Sequence, residues 1–315
     1  MSAPLVSIVT PSYNQAAFLE QAIRSVLEQT YPHIEYLVVD GGSTDGSREI
    51  IEKYADRLAW WVSEKDAGQA DGINKGLRRA QGEIVAWLNS DDYYLPAAIG
   101  QAVEAFRLFP QAGLVFSDVE SVDEEGKRFN VMRFGDWGLT DLMAFRIISQ
   151  PGVFMRRRVL EQAGYLDPNY HYLLDHHLWL RMAVMAPIRY VQGARWAAAR
   201  FHPLAKNVAQ AAGFGSEALR LAAWMESTPL FKPYLPAVWR RMWAGAHRLD
   251  AFYLLDAGQP RAALMAYAQA FRYHPLTVVR DWRRVLYALV NPLGLEDLRQ
   301  AYLKRRSRQF QRQER

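Results

Sequence analysis

Apolar and polar positions alternate in a regular way over the first third of the chain. Short β-branched and aromatic runs predict buried strands at residues 5–10, 34–40, 59–63, 84–88 and 114–118. Between these runs the apolar residues recur at helical spacing, which predicts helices at residues 16–29, 50–54, 69–79 and 96–109. Strands that alternate with helices indicate right-handed βαβ units. We therefore expect an α/β fold with a mostly parallel, Rossmann-like sheet flanked by helices.

The pattern is less regular from residue 120 onward. A turn at residues 123–126 indicates a hairpin. Further elements are predicted at residues 153–155 (strand), 157–163 (helix), 175–185 (helix) and 188–201 (strand). After Gly215 the apolar spacing is helical throughout. We therefore expect an α/β domain over residues 1–210, followed by an α-helical C-terminal extension over residues 211–315.

Part of the predicted extension resembles one tetratricopeptide helix pair. Tyr253-Leu254-Leu255-Asp256-Ala257-Gly258 is followed by small residues at helical spacing and then by Pro275. A single repeat cannot bury its own apolar face and cannot form a solenoid. Packing against the α/β domain is therefore favoured over binding of a peptide.

The composition excludes several classes of chemistry. The chain has no cysteine, so disulfides, thiol catalysis and thiolate metal sites are excluded. No apolar run reaches the roughly 18 residues that span a bilayer, and no apolar signal core precedes the first predicted strand. We therefore expect a cytoplasmic protein.

The charge of the chain is concentrated at its C-terminus. Residues 301–315 carry six Lys and Arg residues against Glu314, which accounts for the whole formal charge of +5. A neutral remainder argues against a nucleic-acid groove. The tail suggests peripheral contact with the anionic inner face of the cytoplasmic membrane. The alternative is a solvated, frayed C-terminus.

Acidic residues follow the predicted strands at the positions where the strands end. Asp40 ends the second strand, Asp66 follows the third, Asp91 and Asp92 follow the fourth, and Asp118 ends the fifth. The carboxyl ends of parallel strands lie along one edge of a sheet, where ligands bind, so these side chains are expected to converge. Like charges in one place require a cation or hydrogen-bond donors among them.

Two adjacent carboxylates close the buried run at residues 84–88. Asn89, Ser90, Asp91 and Asp92 offer hard oxygen ligands that suit Mg²⁺ or Mn²⁺ better than Zn²⁺. The alternative is a helix cap, with one of the aspartates at the start of the helix predicted near Pro96. Convergence with the acids of neighbouring strands favours the metal site.

The chain lacks the common dinucleotide and nucleotide motifs. No glycine follows the first strand in Pro11-Ser12-Tyr13-Asn14, and the glycines after the second strand lack the G-x-G-x-x-G spacing. No G-x-x-x-x-G-K-[ST] motif is present. A nicotinamide enzyme and a P-loop ATPase are therefore disfavoured.

Five segments together resemble the family 2 glycosyltransferases of the GT-A fold. The resemblance covers about residues 5–205. Its segments, in the family's order, are Val9-Thr10-Pro11-Ser12-Tyr13-Asn14, Val38-Val39-Asp40-Gly41-Gly42-Ser43-Thr44-Asp45-Gly46, Ser63 to Gly76, Leu88-Asn89-Ser90-Asp91-Asp92, and Leu174-Asp175-His176-His177-Leu178-Trp179-Leu180-Arg181. Any one of these segments would be a weak signal, and their shared order makes the signal strong.

The resemblance implies a nucleotide-sugar site with Asp40 on the base. Its residues would be Pro11, Tyr13, Asn14, Asp40, Asp66, Gly68, Asp71, Asn74, Asn89 and Asp91. It further implies that Asp92 binds a Mn²⁺ or Mg²⁺ ion at the diphosphate and that Asp175 is the base that deprotonates an acceptor hydroxyl. His202, in Arg200-Phe201-His202, resembles the family's late histidine near the metal; the alternative for His202 is a loop cap.

The implied reaction is transfer of a hexosyl or N-acetylhexosaminyl group from a UDP-sugar, with inversion, to a cell-surface glycan or lipid-linked acceptor. The chain departs from the family pattern at Leu174, where an acid is common, and at His177, where a second acid often stands. Gln150 and the residues after it stand where such enzymes build the acceptor pocket. We expect Trp179 to be a core residue rather than a sugar platform.

Two alternatives to this function remain. A nucleotidyltransferase is disfavoured because no Gly-rich loop with a triphosphate-facing lysine follows the first strand. A nucleotide- or glycan-binding scaffold that has lost the chemistry would keep the fold. The presence of both Asp92 and Asp175 argues against it.

Overall fold

Nine strands form a single mixed sheet in the N-terminal part of the chain. The structure, a computed structural model, describes residues 3–202 and 211–290. The strands are β1 (Val6–Ser12), β2 (Ile34–Asp40), β3 (Trp60–Ser63), β4 (Ile84–Trp87), β5 (Tyr93–Tyr94), β6 (Leu114–Val122), β7 (Arg128–Met132), β8 (Val153–Arg156) and β9 (Ile188–Arg200). Their order is β3-β2-β1-β4-β8-β6-β9-β5, and β7 pairs with β6.

Helices connect most of these strands. They are α1 (Ala16–Leu27), α2 (Ser47–Lys53), α3 (Gln69–Arg79), α4 (Ala98–Leu108), α5 (Leu139–Met143), α6 (Arg157–Ala163) and α7 (Leu174–Met185). Short 3₁₀ helices span Ala55–Arg57 and Gln150–Gly152. The amphipathic spacing that predicted α1 is seen in its buried face, which consists of Leu19, Ala22, Ile23 and Val26.

Strand direction brings several chain segments to one edge of the sheet. The parallel pairs β1–β2, β1–β4, β2–β3 and β6–β9, taken with the antiparallel partners, put six strands in one direction and β5, β7 and β8 in the other. Ser12 is level with Asp40 and Val9 with Trp87 in the register. The carboxyl ends of β1, β2 and β4 therefore share one edge. The expected α/β fold is confirmed, but the sheet is mixed, with four parallel and four antiparallel pairings.

The structure corrects two expectations about the acids. β6 runs on to Val122, so Asp118 lies within a strand rather than at its end, and its carboxylate accepts hydrogen bonds from the Phe134 amide and the Tyr190 hydroxyl. The helix-cap alternative for Asp91 and Asp92 is wrong, because β5 intervenes and α4 begins only at Ala98.

The expected hairpin is confirmed at the end of β6. The amide of Gly126 donates to the carbonyl of Asp123, and the chain returns as β7. Gly126 has a φ of +83°, a left-handed conformation that glycine adopts without steric cost.

The chain divides into two compact units. The first comprises Met1–Gly138 and Ile148–Arg200, and the second Leu139–Ile147 and Phe201–Arg315. The sequence did not indicate that the segment containing α5 belongs with the C-terminal helices. The predicted boundary at residue 210 lies at the end of a segment, 203–210, outside the described residues, and stays a prediction.

Helices make up the described part of the second unit. They are α5, α8 (Ala211–Ser227), α9 (Leu235–Asp256), α10 (Pro260–Tyr273), α11 (Pro275–Val279) and α12 (Trp282–Val290). α9 and α10 form the helix pair that the sequence indicated, with Ala251, Ala266, Tyr267 and Ala270 in one buried cluster. Among the described helices, none is long and apolar enough to cross a membrane.

Candidate functional site

The carboxylate at the end of β2 is held by its own loop and by the end of β3. Asp40 is completely buried, and its oxygens accept from the amides of Gly42 and Ser43 and from the hydroxyls of Ser43 and Ser63. Three of these donors contact Oδ2 and one contacts Oδ1, so Oδ1 retains acceptor capacity. The base-binding role of Asp40 stays a prediction.

The end of β1 contacts the same loop. Asn14 has a φ of +50°, its amide donates to the Ser43 hydroxyl at 2.8 Å, and its Oδ1 accepts from the Thr44 amide at 2.9 Å. Tyr13 is 63% exposed. The turn after β1 therefore exposes the ring of Tyr13, and the next residue, Asn14, fixes this turn to the loop after β2 through two hydrogen bonds.

Asp66 lies against two glycines at this edge. A Cβ on Gly41 would lie 2.9 Å from Asp66 Oδ2, and a Cβ on Gly72 would lie 3.0 Å from the same oxygen and 3.9 Å from the Cβ of Pro11. Asp66 Oδ1 accepts from the Gly68 amide at 2.9 Å. The structure thus brings together Pro11, Asp66 and Gly68, which the sequence predicted to share a site.

Two predicted contact residues on α3 also support the fold. Asp71, in the first turn of α3, accepts from the Ala67 amide through Oδ2 at 3.1 Å. Asn74 is buried and pairs with both backbone groups of Leu166, at 2.8 and 2.9 Å. This pairing ties α3 to the segment before α7, a role that the sequence did not predict.

A chain of side-chain amides crosses the end of β4. Gln69 Nε2 donates to Asn89 Oδ1 at 3.1 Å, and Asn89 Nδ2 donates to Gln150 Oε1 at 3.2 Å. Gln150 Nε2 then donates to the carbonyl of Trp87 at 2.7 Å. Asn89 is therefore held between α3 and the 3₁₀ turn at Gln150–Gly152, and this chain fixes the geometry of the Asn89–Asp92 turn.

Arg200, the last residue of β9, holds the two acids that follow β4. Its backbone amide donates to Asp92 Oδ1 at 2.9 Å, and its side-chain Nε donates to the carbonyl of Asp91 at 3.0 Å. Asp92 is 7% exposed. Burial raises the pKa of Asp92 well above its ordinary value, and the Asp91 carboxylate raises this pKa further. The Arg200 amide, Asn89 and the Arg200 charge act in the opposite direction.

The donor set at Asp91 and Asp92 fits a hard divalent cation in part. Carboxylate oxygens are the ligands that Mg²⁺ and Mn²⁺ prefer, and a cation here would offset the cost of a buried acid, Asp92, beside the partly buried Asp91. Within residues 3–202 and 211–290, no group of three or more His, Asp or Glu side chains is placed to hold a metal. In proteins Mg²⁺ is commonly bound through one or two carboxylates together with substrate phosphates.

Asp175 stands in the first turn of α7, where its Oδ1 accepts from the His176 amide at 2.7 Å. α7 is fixed to β4 by a stack of Trp179 on Trp87, with ring centroids 5.2 Å apart. Trp179 is completely buried, which confirms it as a core residue. One aromatic contact thus links the helix that carries Asp175 to the strand that precedes Asp91 and Asp92.

Three histidines near these elements differ in their surroundings. His176 and His177 are buried, and His177 stacks on Tyr170 with ring centroids 4.2 Å apart. His177, at the position of the family's second acid, is therefore a packing residue of α7. His202 follows β9 and is also buried. Its role as a metal ligand stays a prediction.

The sequence did not show which residues hold the predicted site residues in place. Ser63, Gln69, Leu166 and Arg200 contact Asp40, Asn89, Asn74 and Asp92, respectively. Ser63, Gln69 and Arg200 lie inside segments that resemble the family, and that location was the one available signal. Their partners are 23, 20 and 108 residues away in sequence, so spacing alone could not identify them.

Comparison with known proteins gives one family for this region. The family model described as glycosyl transferase family 2 matches residues 7–180, which is more than half of the chain. A putative teichuronic acid biosynthesis glycosyltransferase, TuaG of Bacillus subtilis, is 34% identical over 185 residues, with coverage of 57% of this chain and 72% of TuaG. An uncharacterized glycosyltransferase of Rickettsia conorii is 29% identical, and the match covers 59% of this chain and only 32% of that protein.

Two solved structures share the fold at low sequence identity. The mannosyltransferase PcManGT from Pyrobaculum calidifontis, in complex with GDP-Man and Mn²⁺, has a TM-score of 0.61 and 21% identity, with coverage of 93% of this chain and 88% of PcManGT. Staphylococcus aureus TarS 1-349, in complex with UDP-GlcNAc, has a TM-score of 0.59 and 15% identity, with coverage of 86% of this chain and 92% of that chain.

Proposed function

Since the chain belongs to glycosyl transferase family 2, we propose that it transfers a sugar from a UDP-sugar to a hydroxyl group, with inversion at the anomeric carbon. The transferred group would be a hexosyl or N-acetylhexosaminyl group. The acceptor would be a cell-surface glycan or a lipid-linked precursor. TuaG, a putative teichuronic acid biosynthesis enzyme, supports an acceptor of this class.

One observation carries this proposal. The buried Asp92, beside Asp91, follows the same strand whose Trp87 stacks on α7, the helix that begins beside Asp175. A site for a leaving diphosphate and a site for a base are thus supported by one strand and one helix. This arrangement suits direct displacement by a hydroxyl, because it supplies a base for the acceptor and a support for the leaving group.

Each residue has a defined task in this mechanism. The Asp175 carboxylate accepts the proton of the acceptor hydroxyl as that oxygen attacks the anomeric carbon from the face opposite the diphosphate. A new C–O bond forms while the bond to the diphosphate oxygen breaks, and its electron pair leaves with the nucleoside diphosphate. A divalent ion bound by Asp92, with His202 as a second proposed ligand, would offset charge on the leaving diphosphate.

The remaining predicted residues would hold the donor. Tyr13 would lie against the nucleoside, and Asp66 with Gly68 would line the ribose side. Asn89, fixed by Gln69 and Gln150, would orient the turn that places Asp91 on the sugar. PcManGT was solved with GDP-Man and Mn²⁺, and TarS was solved with UDP-GlcNAc. Both proteins resemble the chain only in fold, and their bound molecules motivate the donor and the ion that we propose here.

A donor screen tests the proposal. Release of UDP or GDP from several nucleotide sugars would be measured with and without Mn²⁺ or Mg²⁺. We expect release from a UDP-sugar that requires the ion. Asp175→Asn should lower turnover by about 10²- to 10⁴-fold, the usual contribution of a general base. Asp92→Asn should abolish the effect of the ion.

The exposed Asp56, in a 3₁₀ helix of the same unit, provides the control, since Asp56→Asn should leave turnover unchanged. Wild-type turnover in both Asp175→Asn and Asp92→Asn would disprove the mechanism. UDP binding measured by calorimetry, with no turnover on a broad acceptor panel, would favour the alternative of a binding scaffold.

The C-terminal helices support a proposal about location. α12 buries Ala288 and exposes Trp282, Leu286 and Leu289, which are spaced i, i+4 and i+7 and so share one face. Arg283 beside them is exposed as well. An apolar stripe flanked by a cation suits an anionic membrane surface, where a lipid-linked acceptor would reside. The basic tail proposed for the same contact lies outside the described residues.

Vesicle flotation tests the membrane contact. The full chain should float with vesicles that contain phosphatidylglycerol and much less with pure phosphatidylcholine vesicles. The double variant Leu286→Ser/Leu289→Ser and a chain truncated after residue 300 should each float less. Leu108→Ser is the matched control, because Leu108 is an exposed leucine on α4. Equal flotation of all these proteins would favour a solvated C-terminus.

A further inference from the structure

The side chain of Arg200 joins three separate segments of the first unit. Nε donates to the carbonyl of Asp91 at 3.0 Å, one terminal nitrogen donates to the carbonyls of Asp123 and Glu124, and the other donates to Gln21 Oε1. These partners belong to the turn after β4, the β6–β7 hairpin and helix α1. Arg200 is 5% exposed. The guanidinium thus acts as a buried junction between elements far apart in sequence.

Aromatic rings and the backbone complete the junction. The guanidinium carbon lies 4.8 Å from the ring centroid of Phe18 and 5.7 Å from that of Tyr93. The backbone amide of the same residue donates to Asp92 Oδ1 at 2.9 Å. Arg200 therefore contacts the backbone carbonyl of Asp91 through its side chain and the carboxylate of Asp92 through its backbone amide. A shift of Arg200 must therefore move both acids.

The hydrogen bonds of Arg200 within the protein leave one of its N–H donors for any other ligand. A guanidinium has five N–H donors in a rigid fork, and four of them are directed at protein oxygens here. A lysine would keep the charge but would offer a single nitrogen, which cannot reach three segments together. The contribution of this side chain is therefore geometric.

We propose that Arg200 is a positioning residue that keeps Asp92 in place to bind the divalent ion together with the donor diphosphate. This inference rests on the proposed function, in which Asp92 is a metal ligand. The physical basis is that residues which orient a metal ligand affect metal binding: their mutation commonly lowers metal affinity by about 10- to 100-fold.

Arg156 provides a matched control in the same sheet. It is also a largely buried arginine: it donates to the carbonyls of Ala112 and Phe106 at 3.1 and 3.2 Å, and its guanidinium carbon lies 4.9 Å from the Phe106 ring centroid. Arg156 is level with Ile84, at the start of β4, whereas Asp92 follows the end of that strand. Its loss should disturb packing without moving Asp92.

Mn²⁺ binding in the presence of UDP, followed by electron paramagnetic resonance of the free ion, tests the proposal on the full chain. Arg200→Lys should weaken Mn²⁺ binding by about tenfold or more. Arg156→Lys should change it by less than about twofold, although both variants should lower the unfolding temperature by similar amounts. Asp92→Asn should remove UDP-dependent Mn²⁺ binding.

The outcomes separate the inference from the function on which it rests. If Asp92→Asn loses Mn²⁺ binding but Arg200→Lys keeps it, the positioning role is overturned and the function stands. Equal weakening by Arg200→Lys and Arg156→Lys also overturns it. If the wild type shows no UDP-dependent Mn²⁺ binding, the function fails and the inference fails with it.

A milder variant covers the case in which Arg200→Lys does not fold. Gln21→Ala removes one of the four hydrogen bonds of the Arg200 guanidinium, and Gln21 is an exposed residue of α1. It should weaken Mn²⁺ binding by about threefold, consistent with one hydrogen bond. Arg24→Ala, one turn further along α1, should have no effect, and an equal effect of the two would contradict the proposal.

Discussion

The ends of β2 and β4 lie on the same edge of the sheet, and each is followed or ended by a buried aspartate. The two acids, Asp40 and Asp92, differ in their hydrogen-bond donors. Asp40 accepts four hydrogen bonds from its own loop and from Ser63. Asp92 accepts from the Arg200 amide and from Asn89, and it has a second carboxylate beside it. Both side chains are buried. The number of donors around the acid, rather than its position, is what differs.

This difference separates a structural acid from one that is able to bind a cation. A buried carboxylate that accepts four hydrogen bonds, with at least one on each oxygen, is stabilised without any ligand. A buried carboxylate with few donors and a like-charged neighbour carries a cost, which is why the pKa of Asp92 is raised. A divalent cation would remove that cost, so the end of β4 suits an ion and the end of β2 does not.

The largest expected effect is on stability, where substitution of Asp40 and substitution of Asp92 should differ. Asp40→Asn should lower the free energy of unfolding by about 3 kcal/mol, because an amide NH₂ group would face donors that have lost their acceptor. Asp92→Asn should lower it little or raise it in metal-free protein at pH 7.5, since a raised pKa means that the ionised carboxylate destabilises the folded state. The asparagine side chain introduced by Asp92→Asn would keep an oxygen that accepts from the Arg200 amide.

Denaturant unfolding of both variants without metal, with Asp56→Asn as the surface control, measures this difference. A larger loss in Asp92→Asn than in Asp40→Asn would show that Asp92 is the structural acid and would remove the basis for a cation site at β4.

The sequence predicted the parts of this edge that depend on local pattern. Alternating β-branched runs and helical spacing located β1 to β4 and α1, α3 and α4, because burial of one face leaves a periodic trace. The apolar helix around Trp179 was predicted to be core for the same reason, and Trp179 is completely buried.

Long-range pairing accounts for what the sequence did not predict. β6 continues through Asp118 and Glu120, although acidic residues are uncommon in strands, because β7 and β9 pair with it there. β5 has only two residues, and its pairing with Ala197 and Ala198 of β9 defines it. One donor to each acid comes from a distant segment, Ser63 for Asp40 and Arg200 for Asp92, so the difference between the two acids was not visible in the sequence.

A smaller effect sharpens the comparison at the β4 end. Gln150→Met removes the acceptor of Asn89 Nδ2 and the donor to the Trp87 carbonyl while it conserves side-chain volume. We expect kcat/KM for the donor to fall by about 5- to 30-fold, which corresponds to roughly 1–2 kcal/mol for the two lost hydrogen bonds. Steady-state kinetics with the donor found in the screen measures the change.

Gln101→Met is the control for this substitution. Gln101 Oε1 accepts from Trp196 Nε1 at 3.1 Å, so the control loses a hydrogen bond of the glutamine side chain in the same unit, away from Asn89. It should keep the wild-type kcat/KM. If the two variants were equally impaired, the amide chain through Asn89 would have no special role at the site.

The smallest expected effect is that of Asn14→Gly. Asn14 belongs to the hydrogen-bond network at the β2 end through its contacts with Ser43 and Thr44. Asn14→Gly keeps the left-handed φ of +50° and loses only the Oδ1 contact, so the free energy of unfolding should fall by about 1 kcal/mol. Asn14→Ala should cost about 1 kcal/mol more, because alanine is strained in that conformation. Denaturant unfolding of the two variants resolves this order. A network that is complete without a ligand should show the same difference with and without UDP, whereas a difference that disappears when UDP is bound would mean that the nucleotide takes over part of this loop's hydrogen bonding.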